Sequence, residues 1–163
     1  MAEKSIWAPW RSEFILGKKE KGCIFCRLAA EKKIGSPNLI VYRSQKSYIV
    51  LNKFPYNCGH LLIVPNRHVG VLERLSDQES IELIRLCQLA VRVMKATLKP
   101  SAFNLGMNLG RPAGAGVPGH LHMHVVPRWI GDSNFMPIIG ETRVHSMPIE
   151  QIYSRLAEGF AQA

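Results

Sequence analysis

His120, His122 and His124 alternate with Leu121, Met123 and Val125, and Pro127-Arg128 closes the run. In an extended strand successive side chains point to opposite faces, so the three imidazoles share one face and the apolar residues the other. A helix is the wrong shape, because a spacing of two scatters side chains around its turn. The chain holds only six histidines. Three of them at this spacing ask for more than a half-buried strand with a polar outer face. An ordinary imidazole pKa near ~6.5 lets a neutral and a charged ring coexist at physiological pH. The neutral ring is a nucleophile and the charged ring a phosphate clamp.

The segment Asn108 to Gly119, directly before the histidines, carries glycines at 110, 114, 116 and 119. Such a loop lets the backbone approach a ligand closely and turn its N–H groups inward, where they suit a phosphate. Set against imidazoles, those donors would stabilise the extra charge of an in-line displacement. Cys23 and Cys26 form a Cys-x-x-Cys pair, which in a chain without a signal peptide reads as metal or redox chemistry. The redox reading needs a parallel βαβ setting that this sequence does not show. A closed tetrahedral metal site needs two further ligands. Cys87 falls in a helical pattern as a small core residue, and Cys58, beside Gly59, carries no assignable chemistry.

The elements that must position these groups read as alternating strands and helices. Arg27 to Lys33 is a short helical segment stopped by Gly35 and Pro37. Leu39–Tyr42 and Tyr48–Leu51 form a hairpin across a polar turn, and His60–Val64 is a buried strand ended by Pro65. Ser76 and Glu79 make a capping box that opens a long helix to about Lys99. Its predicted apolar face is Ile84, Cys87, Val91, Met94 and Leu98, opposite Arg85, Gln88, Arg92 and Lys95. Ala102–Met107 is a further strand, the histidine strand follows, and Met147–Phe160 is a C-terminal helix. Antiparallel hairpins interrupted by helices indicate an α+β domain.

The whole chain, 1–163, is expected to be one domain: an arm over 1–20, a core over 22–130 and an extension with a helix over 131–163. Trp7 and Trp10 in the arm either dock on the body or a partner subunit, or supply a stacking ring. The net charge of +9 favours a polyanionic partner, although the basic residues are scattered. No apolar run approaches the ~20 residues that span a bilayer, and the expected location is cytoplasmic.

The run His-φ-His-φ-His-φ-φ, together with the segments Asn52–His68 and Asn108–Arg128, resembles the signature of the histidine-triad (HIT) superfamily of nucleotide hydrolases and transferases. The resemblance extends over residues 22 to 140. It implies a five-stranded antiparallel sheet with flanking helices, dimerising so that two sheets become continuous. It further implies that His122 attacks the α-phosphorus of a nucleotide to form a nucleotidyl-histidine, while His124 donates to the phosphate oxygens or the bridging oxygen. A transferase branch carries Gln at the latter position, so His124 points to the hydrolase and phosphorylase side.

By the same resemblance Asn108 meets the scissile phosphate region, and Gly116 and Val117 are the favoured loop amides in a loop one residue longer than usual. Asn52 matches a ribose contact, His60 reads as structural, and Leu51 with Phe25 or Phe54 could sandwich the base. Cys23, Cys26, His68 and His120 match the ligand pattern of zinc-containing members, implying one structural Zn2+ per chain with no open position. Trp-Ala-Pro-Trp-Arg at 7–11 is similar to the opening of one bacterial branch. Arg128-Trp129 and Gly131–Met136 resemble an extension of bacterial diadenosine-polyphosphate enzymes, where Arg128 or Asn134 either touches a second nucleotide or caps the strand.

The reading is therefore a homodimeric nucleotidyl hydrolase or phosphorylase for dinucleoside polyphosphates such as diadenosine tetraphosphate. Its rivals are a nucleoside phosphoramidate or aminoacyl-adenylate hydrolase, and a zinc-stabilised nucleotide- or nucleic-acid-binding protein without turnover. Three in-line imidazoles beside a glycine loop argue against a nucleic-acid module.

Overall fold

The apolar runs of the middle of the chain form strands buried on both sides. The computed structural model describes residues 22–132 and 147–163. In it, β1 (Ile40–Arg43), β2 (Ser47–Leu51), β3 (Leu61–Pro65), β4 (Ala102–Gly106) and β5 (Met123–Arg128) make one antiparallel sheet in the order β1-β2-β3-β5-β4. Every residue of β2 and β3 is buried, so these central strands read as continuous hydrophobic stretches. The edge strand β4 is largely exposed.

Among the described residues three α-helices cover the sheet: α1 (Ile24–Ala30), α2 (Asp77–Thr97) and α3 (Ile149–Ala161). Strand alternation sorts the core into two layers. Ile49, Leu51, Leu61, Ile63 and Val125 face the layer that contains Leu83, Leu86 and Met94 of α2 and Leu156 of α3. Tyr48, Val50, Leu62 and Val64 face the other way, toward Phe25 of α1. Leu62 pairs with His124, and cross-strand partners project to the same side. The histidine chemistry therefore lies on the α1 face, and α2 and α3 are scaffold behind it.

The capping box forms as the sequence indicates. Ser76 Oγ accepts from the Glu79 N–H, and the Glu79 carboxylate accepts from the Ser76 N–H. The apolar face of α2 is corrected: the buried stripe is Leu83, Leu86, Cys87, Ala90, Val93 and Met94, while Ile84 is 53% exposed. This helix has more apolar positions than one stripe can hold, and contact with the sheet and α3 selects among them. α3 comes so close that a Cβ on Gly159 would lie 2.8 Å from Val93. α1 also begins earlier than expected, with Cys23 as its N-cap and Cys26 in its first turn. The Trp7/Trp10 arm and Asn134 lie outside the described residues.

Candidate active site and metal centre

The three triad histidines do not form one exposed row. Regular strand geometry starts only at Met123, and His120, His122 and His124 are all buried. Each ring is turned to a different partner, and those partners fix its tautomer.

His120 Nε2 lies 2.9 Å from the Pro65 carbonyl oxygen. A carbonyl only accepts, so Nε2 carries the proton and Nδ1 keeps its lone pair. That lone pair faces two thiols: Cys23 Sγ at 3.3 Å and Cys26 Sγ at 3.5 Å. Cys26 Sγ in turn stands 3.1 Å from His68 Nδ1. The four ligand atoms lie within 4.8 Å of one another, and together they could hold a metal ion. Two sulfurs and two imidazole nitrogens are a donor set that suits tetrahedral Zn2+. The carbonyl that orients His120 is the kind of supporting contact that metal-ligating histidines use.

Backbone contacts hold the His68 turn onto the triad segment. The Leu121 N–H donates to the Val69 carbonyl at 2.7 Å, and a Cβ on Gly70 would sit 2.9 Å from the Gly119 backbone. Only glycine fits there. Arg67, next to His68, makes a two-pronged ion pair with Glu79, 2.9 and 2.8 Å, which anchors the turn to the start of α2. That pair and the capping box hold the Glu79 carboxyl down at about 2.

His122 Nδ1 lies 2.9 Å from the His120 carbonyl oxygen. The same argument puts its proton on Nδ1 and leaves Nε2 with a free lone pair. Burial pushes its pKa down, opposed by that carbonyl, so the ring is neutral at pH 7. The Phe25 ring packs on it at 4.9 Å between centroids.

His124 belongs to a longer chain. The Tyr56 N–H donates to His60 Nδ1 at 3.0 Å, and the Asn52 amide lies 3.2 Å from the same nitrogen. With two donors on Nδ1, neutral His60 carries its proton on Nε2, which stands 2.9 Å from His124 Nδ1. His124 therefore accepts at Nδ1 and bears its own proton on Nε2, a buried atom with no partner among the described residues. A buried, unpaired N–H is costly unless a ligand completes it. Burial, then the neighbouring imidazoles, lowers His60 to about 3; burial and His122 lower His124 to about 4. One ring thus offers a lone pair and its neighbour, 5.0 Å away between centroids, offers a proton donor.

The remaining sequence candidates fall around these two rings. Asn52 is joined to them through His60, and its Oδ1 accepts from the Phe54 N–H, leaving a second lone pair. Asn108 lines a cleft with His124 and its amide nitrogen lies 3.4 Å from the Gly114 carbonyl. Val117 packs against the Phe25 cluster and its carbonyl accepts from the His120 N–H; Gly116 is exposed. Arg128 is committed to Asp132 by a bidentate pair at 2.7 and 2.8 Å, which also holds Asn57 and braces the strand end. Cys58 and Cys87 are buried in the core away from the metal cluster. His60, which the sequence gives no partner, stands in hydrogen-bond contact with His124; the local signal for it is the short Tyr56-to-His60 spacing that returns a backbone N–H onto the ring.

A five-stranded antiparallel sheet with flanking helices and three alternating histidines beside a glycine loop defines a small α+β class of proteins. The family profile described as HIT domain matches residues 34–129, and the chain belongs to this family. The AP-4-A phosphorylase of Mycobacterium tuberculosis is 53% identical over 106 residues, covering 65% of this chain and 54% of that protein. This chain thus matches about half the length of that curated relative. An uncharacterized HIT-like protein of Methanocaldococcus jannaschii is 34% identical over 110 residues, 68% of this chain and 81% of that one. A zinc-bound histidine triad family protein from Mycobacterium smegmatis shares the fold, with a TM-score of 0.69 at 23% identity over 86% of this chain and 94% of that chain.

Proposed function

We propose that this protein is a nucleotidyl hydrolase or phosphorylase that cleaves dinucleoside polyphosphates, diadenosine tetraphosphate or similar, at the α-phosphate. One observation carries the reading: the His122 tautomer leaves Nε2 as a free lone pair, beside a His124 Nε2–H that lacks a partner among the described residues. The name of the Mycobacterium tuberculosis relative supports the substrate class. In the first step His122 Nε2 bonds to the α-phosphorus as the bond to the bridging oxygen breaks. The His124 N–H hydrogen-bonds the departing oxygen, and the nucleoside polyphosphate leaves as an anion. In the second step an oxygen of water or inorganic phosphate bonds to phosphorus as the P–N bond breaks, the electron pair returns to His122 Nε2, and the proton of an attacking water passes to solvent. Asn108 with the Gly116 and Val117 amides holds phosphate, and Asn52 accepts from the ribose hydroxyls.

Cys23, Cys26, His68 and His120 bind one structural Zn2+ per chain, which ties α1 to the triad segment and supplies no open coordination position. The exposed edge of β4 joins that of a second copy, so that two sheets become one across a homodimer. Reduced thiols at the metal cluster suit the cytoplasm. No helix of the described residues is long and apolar enough to cross a membrane.

The test is incubation with diadenosine tetraphosphate, rapid quenching and mass spectrometry. An adenylyl adduct on His122, lost in His122→Asn, is the expected result, with ADP released when phosphate is supplied. Full turnover by His122→Asn would refute the covalent route.

A further inference from the structure

The cleft beside His124, about 200 Å3 in volume, is walled by Tyr56, Asn104, Gly106, Asn108, His124 and Val126 among others. Gly106 pairs with His124 and Asn104 with Val126, so these four positions project to one side. A Cβ on Gly106 would meet nothing within 4 Å; this glycine leaves an open channel rather than relieving a clash. Tyr56, 45% exposed, lays its ring on the His124 imidazole at 5.4 Å and 15° between planes.

Two further features say what the cleft holds. Its polar wall donates. Asn104 spends its Oδ1 on Arg128, leaving the amide N–H groups. Asn108 turns only one side of its amide to the Gly114 carbonyl. The buried His124 Nε2–H is unpaired among the described residues. Phosphate oxygens, which only accept, match this set. The second feature is position. In an in-line displacement the attacking and leaving atoms stand on opposite sides of phosphorus. This cleft is bounded by His124 and not by His122, which places it on the departing side.

We infer that the cleft receives the departing half of the substrate, a nucleoside polyphosphate. Its phosphate chain passes over Gly106 between Asn104 and Asn108, and its base stacks on Tyr56. The inference rests on the dinucleoside polyphosphate reading and names where the second nucleoside goes.

The experiment compares the full chain with Gly106→Val, Gly106→Ala and Tyr56→Leu. Each is assayed for steady-state cleavage of diadenosine tetraphosphate and for the Kd of AMP, which carries no departing half. The expected result for Gly106→Val and Tyr56→Leu is a KM for diadenosine tetraphosphate raised about tenfold with AMP binding unchanged within about twofold. Gly106→Ala, whose methyl group meets no protein atom, shows a smaller rise in the same direction. Equal weakening of both ligands would overturn the inference, because the wall would then serve only to hold His124. Unchanged KM in all three variants would overturn it too. A wild-type protein that cleaves adenosine 5′-phosphoramidate but not diadenosine tetraphosphate would instead defeat the parent reading, and that is visible before any variant is made.

Discussion

His60 Nε2 stands 2.9 Å from His124 Nδ1, so one buried imidazole decides where another keeps its proton. The backbone of Tyr56 begins this chain and the unpaired His124 Nε2–H ends it. Replacing His60 with Asn removes the donor to His124 and lets that ring take the wrong tautomer. We expect kcat to fall roughly 10- to 100-fold with KM within about threefold. His60→Gln, whose amide can reach toward the Nε2 position, should recover part of the loss. A mere packing role would leave Asn and Gln equally poor.

Acid stability follows from the same pair. His60 and His124 have folded pKa values of about 3 and about 4, below the ~6.5 of an unfolded histidine. Between those values the unfolded chain binds more protons than the folded one, so stability rises with pH there. The melting temperature should be flat above pH ~6.5 and fall as pH drops toward 4. His60→Asn should show a shallower decline across that window. Thermal melts at a series of pH values, wild type beside variant, check this; parallel slopes would remove His60 from the account.

On the proposal that the Cys23, Cys26, His68 and His120 cluster holds zinc, stripping the metal should loosen the α1–triad contact. For a site held at 100-fold above Kd, ligand binding adds about 2.7 kcal/mol, or a melting shift on the order of 5–10 °C for a chain of this size. Chelation under reducing conditions should produce that shift and release one equivalent of zinc by atomic absorption. His68→Ala and Cys23→Ser should already melt near the stripped value and respond little to chelator.

Gly70→Ala presses a methyl group to 2.9 Å from the Gly119 backbone, where nothing flexible can yield. Overpacking of this kind costs about 1–3 kcal/mol. Because the strained segment carries His68 on one side and His120 on the other, the variant should also give up its metal to a chromogenic chelator faster than wild type. Unaltered melting and metal release would mean that the two turns can separate freely.

The central strands, the capping box and the long helix were legible because each is written in local terms: continuous apolar runs, Ser76 with Glu79, and period-three-and-four spacing. The face of α2 was less so. Cys87, Met94 and Leu98 belong to the buried stripe as expected, but Ile84 points to solvent and Leu83, Leu86 and Ala90 take its place. Periodicity allows either stripe; the approach of α3 at Gly159 chooses. At the site, alternation showed that His120, His122 and His124 belong together, yet it could not show that each ring answers to a different carbonyl, thiol or imidazole. The contact of His60 with His124 spans 64 residues, beyond any local pattern. Cys-x-x-Cys alone marks two of the four residues that the structure brings together; His68 and His120 were legible only through family resemblance.

Cys23 Sγ neighbours His120 Nδ1 although 97 residues separate them. On a ribosome adding ~5–20 residues per second, the thiols emerge about 5–20 s before the imidazole that completes their cluster. Through that interval they are naked to oxidants. A chain that loses one of them then can still bury its sheet, because the layer under α2 and α3 does not include either sulfur. Oxidation of either thiol in that interval would therefore leave the layer under α2 and α3 intact while removing one donor from the Cys23, Cys26, His68 and His120 cluster.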